Sequence, residues 1–433
     1  MGKVDRKEVF GWAMFDFANS SYTTVIITVV FSVVFPKLIV GDGPDYERGN
    51  FLWAVSLAIA YLLVVLTAPL LGAVMDYRAA KKKFLFASWL LTIVATCGLA
   101  FASPGAIPLA MVLLIVSNFG FATGESFIAS FLPGLGPPAS LGKISGLAWG
   151  LGYVGGLAST IGVLTIVGDQ VIENFSRLRL IGPVTAGFFA VAAIPTFLFL
   201  RERGEPKPLP AGQTLISIGF SELKSTLAEL PRFRDLSMFF ASLFFSMAGL
   251  GIVISFAFIY GDQVIGWKAS TQVLMFVLTN LSAAVGAVLF GLLQDRWGNL
   301  RTYRLTLIIW VIAVVGIHQT TAISDALGGA LSREGVYLGV GIIAGLCLGA
   351  TQSAGRTIVA LFAPADRVGQ MFGFWGMAAK LAQAAGLIGL GAMQSAFGLA
   401  NSILLCALFF AAAFVLAGRV DETRGTSHAR TSV

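Results

Sequence analysis

Residues 51–75, FLWAVSLAIAYLLVVLTAPLLGAVM, contain no charged side chain. At 1.5 Å rise per residue such a run outreaches the ~30 Å hydrocarbon core of a bilayer. Lipid admits only segments that satisfy their backbone hydrogen bonds internally, so a run like this is read as a membrane-spanning helix. Comparable runs cover 10–36, 84–103, 106–131, 144–168 and 180–200, then 236–261, 270–294, 302–323, 335–361, 367–394 and 398–418. Together they predict an all-α membrane protein with twelve transmembrane helices. Composition agrees, since only 12% of the residues are charged, against roughly 25% in soluble domains.

In a soluble protein the net charge of +7 would suggest nucleic acid. Here basic residues gather in alternate connections, so no nucleic-acid partner is expected. With the N-terminus inside, the outer connections hold only Arg48, Arg177, Arg179, Lys268 and Arg333 of the 29 Lys and Arg, with Lys37 and Lys380 within or at the end of spans. The positive-inside rule then places both termini in the cytoplasm. The chain divides into a six-helix bundle over 1–200, a cytoplasmic linker over 201–235, a second bundle over 236–418 and a cytoplasmic tail over 419–433. Within the linker, Ile216, Phe220, Leu223, Leu227 and Leu230 recur at helical spacing, which favours an amphipathic helix on the inner membrane surface over a flexible tether.

The halves repeat. GAVMDYR at 72–78 and GLLQDRW at 291–297 each come after the second span of their half, with Gly and Asp four apart. GESFIASFLP at 124–133 and GRTIVALFAP at 355–364 share Gly, Ala, Phe and Pro at the same offsets near the end of each fourth span. The first carries Glu125 where the second carries Arg356. Six-plus-six parallel repeats place a substrate site between the halves, near mid-membrane.

Ionisable groups within spans are costly and mark function. Asp16, Glu125, Arg356 and Lys380 are such groups. Asp16, Asn19, Ser20, Thr23 and Thr24 form a polar stripe at i, i+3, i+4, i+7 and i+8, and Lys380 with Gln383 forms a shorter one. Such faces either line a hydrated cavity or glue helices together; ionisable residues on several helices favour the cavity. Glu125 and Arg356 either bridge the halves near the cytoplasmic mouth or pair within their own halves. In a third reading Arg356 binds an anionic substrate while Glu125 carries a proton. Asp16 and Glu125 are the candidate proton carriers, because a carboxyl group in low dielectric can exchange a proton in the working pH range. Asn19, Thr23, Trp149, Tyr153, Arg356, Lys380 and Gln383 are the candidate substrate contacts, with core filling the competing role for Trp149 and Tyr153. Gly146-xxx-Gly150 and Gly152-xxx-Gly156 read as close helix packing.

No ATP loop, HExxH, nucleophile elbow or clustered metal-ligand set occurs. GKIS at 142–145 lacks the upstream Gly and the adjacent Ser or Thr of a phosphate loop. Cys97, Cys347 and Cys406 lie in apolar runs without CxxC spacing. Neither an enzyme, a metal nor a cofactor is expected, and transport would be driven by gradients.

With these residues in hand the chain resembles the major facilitator superfamily over its whole length. GAVMDYRAAKKK and GLLQDRWGNLR are similar to the superfamily's loop signature, although Ala79 and Tyr77 depart from it in the first copy. The resemblance implies gating roles for Asp76, Asp295 and Arg296, alongside Glu125 and Arg356. WAMFDFANSSY (12–22), SFLP (130–133), GLAWGLGYVGG (146–156), TQSAGRTIVALFAP (351–364) and FGFWGMAAK (372–380) resemble the vacuole-effluxer-like branch, whose fungal members are linked to amino-acid efflux. The resemblance implies a proton-coupled secondary transporter of a small polar solute, an amino acid or another carboxylate-bearing metabolite, working by alternating access. Efflux is associated with that branch, while the residues themselves leave import and export both open. A single copy is expected to suffice, in a bacterial cytoplasmic (inner) membrane given the compact loops. A receptor or assembly partner on a transporter scaffold, or a carrier of lipid-like or drug-like amphiphiles, are the alternatives.

Overall fold

The computed structural model describes residues 4–41, 46–210, 212–229, 233–328 and 330–431. Leu230 lies outside these residues, as does the Leu227 side chain of the expected amphipathic face. The main helices are α1 Arg6–Val40, α2 Glu47–Tyr77, α3 Lys81–Phe101, α4 Ile107–Ala129, α5 Leu141–Val167 and α6 Ile172–Phe199. A shorter α7 spans Leu215–Glu229. Then come α8 Arg234–Tyr260, α9 Ala269–Trp297, α10 Asn299–His318, α11 Arg333–Phe362, α12 Val368–Ser402, α13 Leu404–Ala417 and α14 Glu422–Thr431.

Among the described residues ten helices are long and apolar enough to cross a membrane, and eleven if a bent pair counts as one span. That pair, Ala396–Ser402 and Leu404–Ala417, meets at 65°. Gly398 sits at its start with φ +72°, a backbone conformation that costs glycine least. The helix that opens at Val368 is thus broken at Gly398, where the last span is expected to begin. Large apolar side chains face outward, among them Leu66, Val191, Leu198 and Ile388. Exposed apolar area on this scale suits lipid and not water.

By contacts the chain divides into two units. The first comprises Met1–Gly136, Leu151–Leu223 and Arg367–Met377. Here α1 opens at Asp5, whose carboxylate accepts from the Lys7 and Glu8 amides at 3.0 and 3.4 Å. It widens into π-helical turns over Tyr22–Val29 and Phe35–Val40 and stops at Gly41, φ +64°. Tyr22, Ile26, Phe31 and Phe35 enter a core with Leu114 and Phe121. Against α1, Gly155 of α5 leaves room for the Phe17 carbonyl, where a Cβ would collide. The start of the linker is strapped to this unit. Buried Glu8 accepts from both terminal guanidinium nitrogens of Arg203 at 2.7 and 2.6 Å, and Glu202 accepts from the Lys82 amide in the first turn of α3.

The second unit comprises Pro137–Gly150, Lys224–Asp366 and Ala378–Val433. Its ends repeat the same device. Buried Asp235, in the first turn of α8, accepts from Arg424 at 2.6 and 2.8 Å. Glu422 accepts from the Asn299 and Leu300 amides that open α10, at 3.1 and 2.9 Å. The segment expected to be a tail thus folds into α14, because these carboxylates find a guanidinium and orphan helix-end donors. Glu422→Ala is expected to cost about 1–2 kcal/mol, the loss of a helix cap. Thermal unfolding of the purified protein measures it, and an unchanged midpoint would remove the capping role.

Candidate functional site

Asp76 lies in the last turn of α2. Its Oδ1 accepts from the Gly369 amide and its Oδ2 from the Gln370 amide, both at 2.9 Å. These are among the first free N–H groups of α12, where helix-end partial charge favours an anion. A Cβ at Gly369 would displace the tip of the Met75 side chain and come within 2.8 Å of Asp76 Oδ1, so glycine eases this approach. Gly72 and Gly373 widen the approach in the same way, each admitting backbone of the opposing helix. The Lys81 ammonium lies 3.9 Å from Asp76 and donates to the Ser130 carbonyl at 3.2 Å.

Asp295 takes the corresponding place in the second unit. Its Oδ2 accepts from the Lys143 amide at 3.2 Å, in the first turn of α5. A Cβ on Gly142 would come within 2.7 Å of Asp295 Oδ1 and 2.6 Å of Gln294 Cβ, so this approach also depends on glycine. GKIS is therefore a helix start met by a carboxylate. Arg296 is exposed.

Arg356 is 2% exposed in α11. Its Nε donates to Ser145 Oγ at 3.1 Å and its Nη2 to the Ser145 carbonyl at 3.0 Å, while the guanidinium lies 5.4 Å from the Trp149 ring centroid. Ser145 Oγ in turn donates to the Ser353 carbonyl at 3.1 Å. The planar fork meets two acceptors on α5 and an aromatic face one turn later, a geometry that suits arginine and not lysine. Lys380 is buried in α12, and Gln383 packs one turn on against Gly251 of α8.

Asp16 and Glu125 are half-buried in the first unit, Asn19 is buried, and Thr23 and Tyr153 are half-buried. The stripe on α1 divides. Ser20 Oγ donates to the Asp16 carbonyl at 2.9 Å, and Thr24 Oγ1 donates to the carbonyls of Ser20 and Gly156 at 2.8 and 3.1 Å. The Thr24 hydroxyl thereby joins α1 to α5. Thr23 lies in the π-helical turns, so the 3.6-residue register assumed for the stripe breaks at Tyr22. Of the sequence candidates the structure thus brings Arg356 onto Trp149. Sequence reasoning missed Ser145, Gly369, Gln370 and the backbone of Lys143, whose contributions are mostly main-chain donors and acceptors.

The profile of the family described as "Vacuole effluxer Atg22 like" matches residues 51–430. The uncharacterized MFS-type transporter YxiO of Bacillus subtilis (strain 168) is 23% identical over 98% of this chain and 97% of its own length. Autophagy-related protein 22 of Coccidioides immitis (strain RS) is 23% identical over 75% of this chain and 66% of its own. Among solved structures, the proton:xylose symporter XylE of the major facilitator superfamily superposes with a TM-score of 0.70 at 14% identity, over 98% of this chain and 97% of that one. That likeness shows the fold. The relatives are transporters and not enzymes, and the chain belongs to the vacuole effluxer Atg22-like family, a branch of the major facilitator superfamily of multi-pass membrane transporters.

Proposed function

We propose that this transporter moves a small carboxylate-bearing solute, an amino acid foremost, outward by alternating access, coupled to protons. The observation that carries the alternating-access reading is the repeated contact of Asp76 with the start of α12 and Asp295 with the start of α5. A carboxylate at a helix end is strong when formed and is replaced readily by water when it parts, which suits a contact that cycles. Asp76 and Asp295 are its gate residues, with Arg296, Glu125 and Arg356 assisting. Lys380, a buried cation within a membrane helix, supports an anionic group on the solute, with Gln383, Asn19, Thr23, Trp149 and Tyr153 completing its recognition. Asp16 and Glu125 carry the protons. Twelve spans, both termini in the cytoplasm, a bacterial inner membrane and a functional monomer complete the reading.

Reconstituted vesicles and a panel of labelled amino acids and organic anions test it, with and without an imposed pH gradient. The gradient is expected to raise accumulation of at least one carboxylate about tenfold, as coupling near 1.4 kcal/mol requires. Asp16→Asn or Glu125→Gln should abolish that gain. Accumulation indifferent to the gradient in the unaltered protein would refute proton coupling; movement of uncharged solutes alone would refute the solute class.

A further inference from the structure

Helix α7 has two faces. Ile218 is buried, and Gly219 lies against α2, where a Cβ would come within 2.6 Å of Leu70 Cδ1 and 2.8 Å of Val74 Cγ2. On the other face Ile216 and Phe220, four apart, are 64% and 58% exposed, with Leu215 beside them. Leu62, Leu66, Leu70 and Val74 form one stripe along α2 at intervals of four. Leu62 and Leu66 are exposed, whereas Leu70 and Val74 are the residues that α7 covers. The outward stripe of α2 thus passes under α7 roughly 6 Å beyond Leu66, one helical turn. An apolar face that continues a lipid-facing stripe at its end, with exposed Lys224 one turn after Phe220, has the chemistry of an interfacial helix.

A second contact gives that position a consequence. The Gln370 side chain, 1% exposed, donates from Nε2 to the Glu222 carbonyl of α7 at 3.4 Å. The backbone amide of the same residue donates to Asp76. One residue therefore touches both α7 and the carboxylate contact at the start of α12.

We propose that Leu215, Ile216 and Phe220 seat α7 in the headgroup–acyl boundary of the lipid leaflet, and that this seating, through Gln370, steadies the hold of Asp76 on α12. The partner is the bilayer surface itself. Stability of the Asp76 contact would then depend on how α7 is anchored, so the lipid becomes a regulator of that end of the first unit.

Two measurements on the full chain in phosphatidylethanolamine–phosphatidylglycerol vesicles test the proposal, and neither uses transport. In a background with Cys97, Cys347 and Cys406 changed to Ala, an environment-sensitive label is attached at Phe220→Cys or at Gln213→Cys. Lipids brominated near the headgroup should quench the Phe220 label about threefold more strongly than the exposed Gln213 label. Equal quenching overturns the seating. Amide exchange over 368–373 should then quicken about fivefold or more in the double variant Ile216→Asp, Phe220→Asp, as the tie to Gln370 loosens. The milder pair Ile216→Ser, Phe220→Ser should shift it in the same direction and serves if the first fails to fold. Exchange unchanged in a folded variant overturns the coupling.

Discussion

In Asp76→Ala, amide exchange at Gly369 and Gln370 is expected to rise about a hundredfold or more while transport collapses. The carboxylate receives two charge-assisted hydrogen bonds at 2.9 Å, each contributing about 1.5–3 kcal/mol. It also meets the positive end of α12, a further ~0.3–1 kcal/mol. Alanine removes all of it and leaves two helix-end donors without their acceptor. A net loss near 3–4 kcal/mol corresponds to two to three powers of ten in the balance between contact made and contact broken. Asp76→Asn keeps an acceptor without the charge, so its exchange should fall between the two. Hydrogen exchange with peptide-level mass spectrometry over 367–373 reads the result. Alanine exchange within a few fold of the unaltered protein would show that the glycine-lined approach of α2 to α12 holds the contact and the carboxylate does not.

Arg356→Ala carries the other large effect. The guanidinium is almost wholly buried, donates twice to Ser145 and lies over Trp149. Its charge-assisted bonds contribute about 1.5–3 kcal/mol each, and a desolvated cation–π contact about 2 kcal/mol. Desolvation of the cation offsets part of this. Even so, removal takes two donors from Ser145 and opens space against Trp149, so a loss near ~3–5 kcal/mol and a melting midpoint lower by about 3–5 °C are expected. Arg356→Lys keeps the charge but cannot reach both Ser145 acceptors with one planar fork, and it should recover at most about half of the loss. Thermal unfolding of the three proteins in one detergent decides it. Lysine matching arginine would mean that charge alone matters at this position.

The two predictions differ in how far the sequence announces them. Asp76 and Asp295 are visible because Gly and Asp recur four apart after the second span of each half. Their partners are not. Backbone amides look the same at every position, and Gly369 lies 293 residues from Asp76. Arg356 stands out as a cation in an apolar run, and Trp149 as an aromatic in a glycine-rich one. Nothing local marks Ser145 as the acceptor 211 residues away. The stripe on α1 misleads in part, because i, i+4 arithmetic assumes an α-helical period and Tyr22–Val29 winds wider. The segment after 418 looks like a tail because its composition is polar. It becomes α14 where Asp235 and the opening amides of α10 are within reach, and neither is close in sequence.

The sequence by itself determined that this chain lives in a bilayer, that two short motifs recur along it, and which ionisable residues stand inside apolar runs. These conclusions rest on local quantities: run length against bilayer thickness, spacing along a helix, and the cost of a charge out of water. Only the tertiary structure decided which helix start each carboxylate meets, that Arg356 rests on Ser145 and Trp149, and that Gln370 touches both α7 and Asp76. Those pairings depend on main-chain groups and on clearances left by missing Cβ atoms, and they exist only once distant segments have packed.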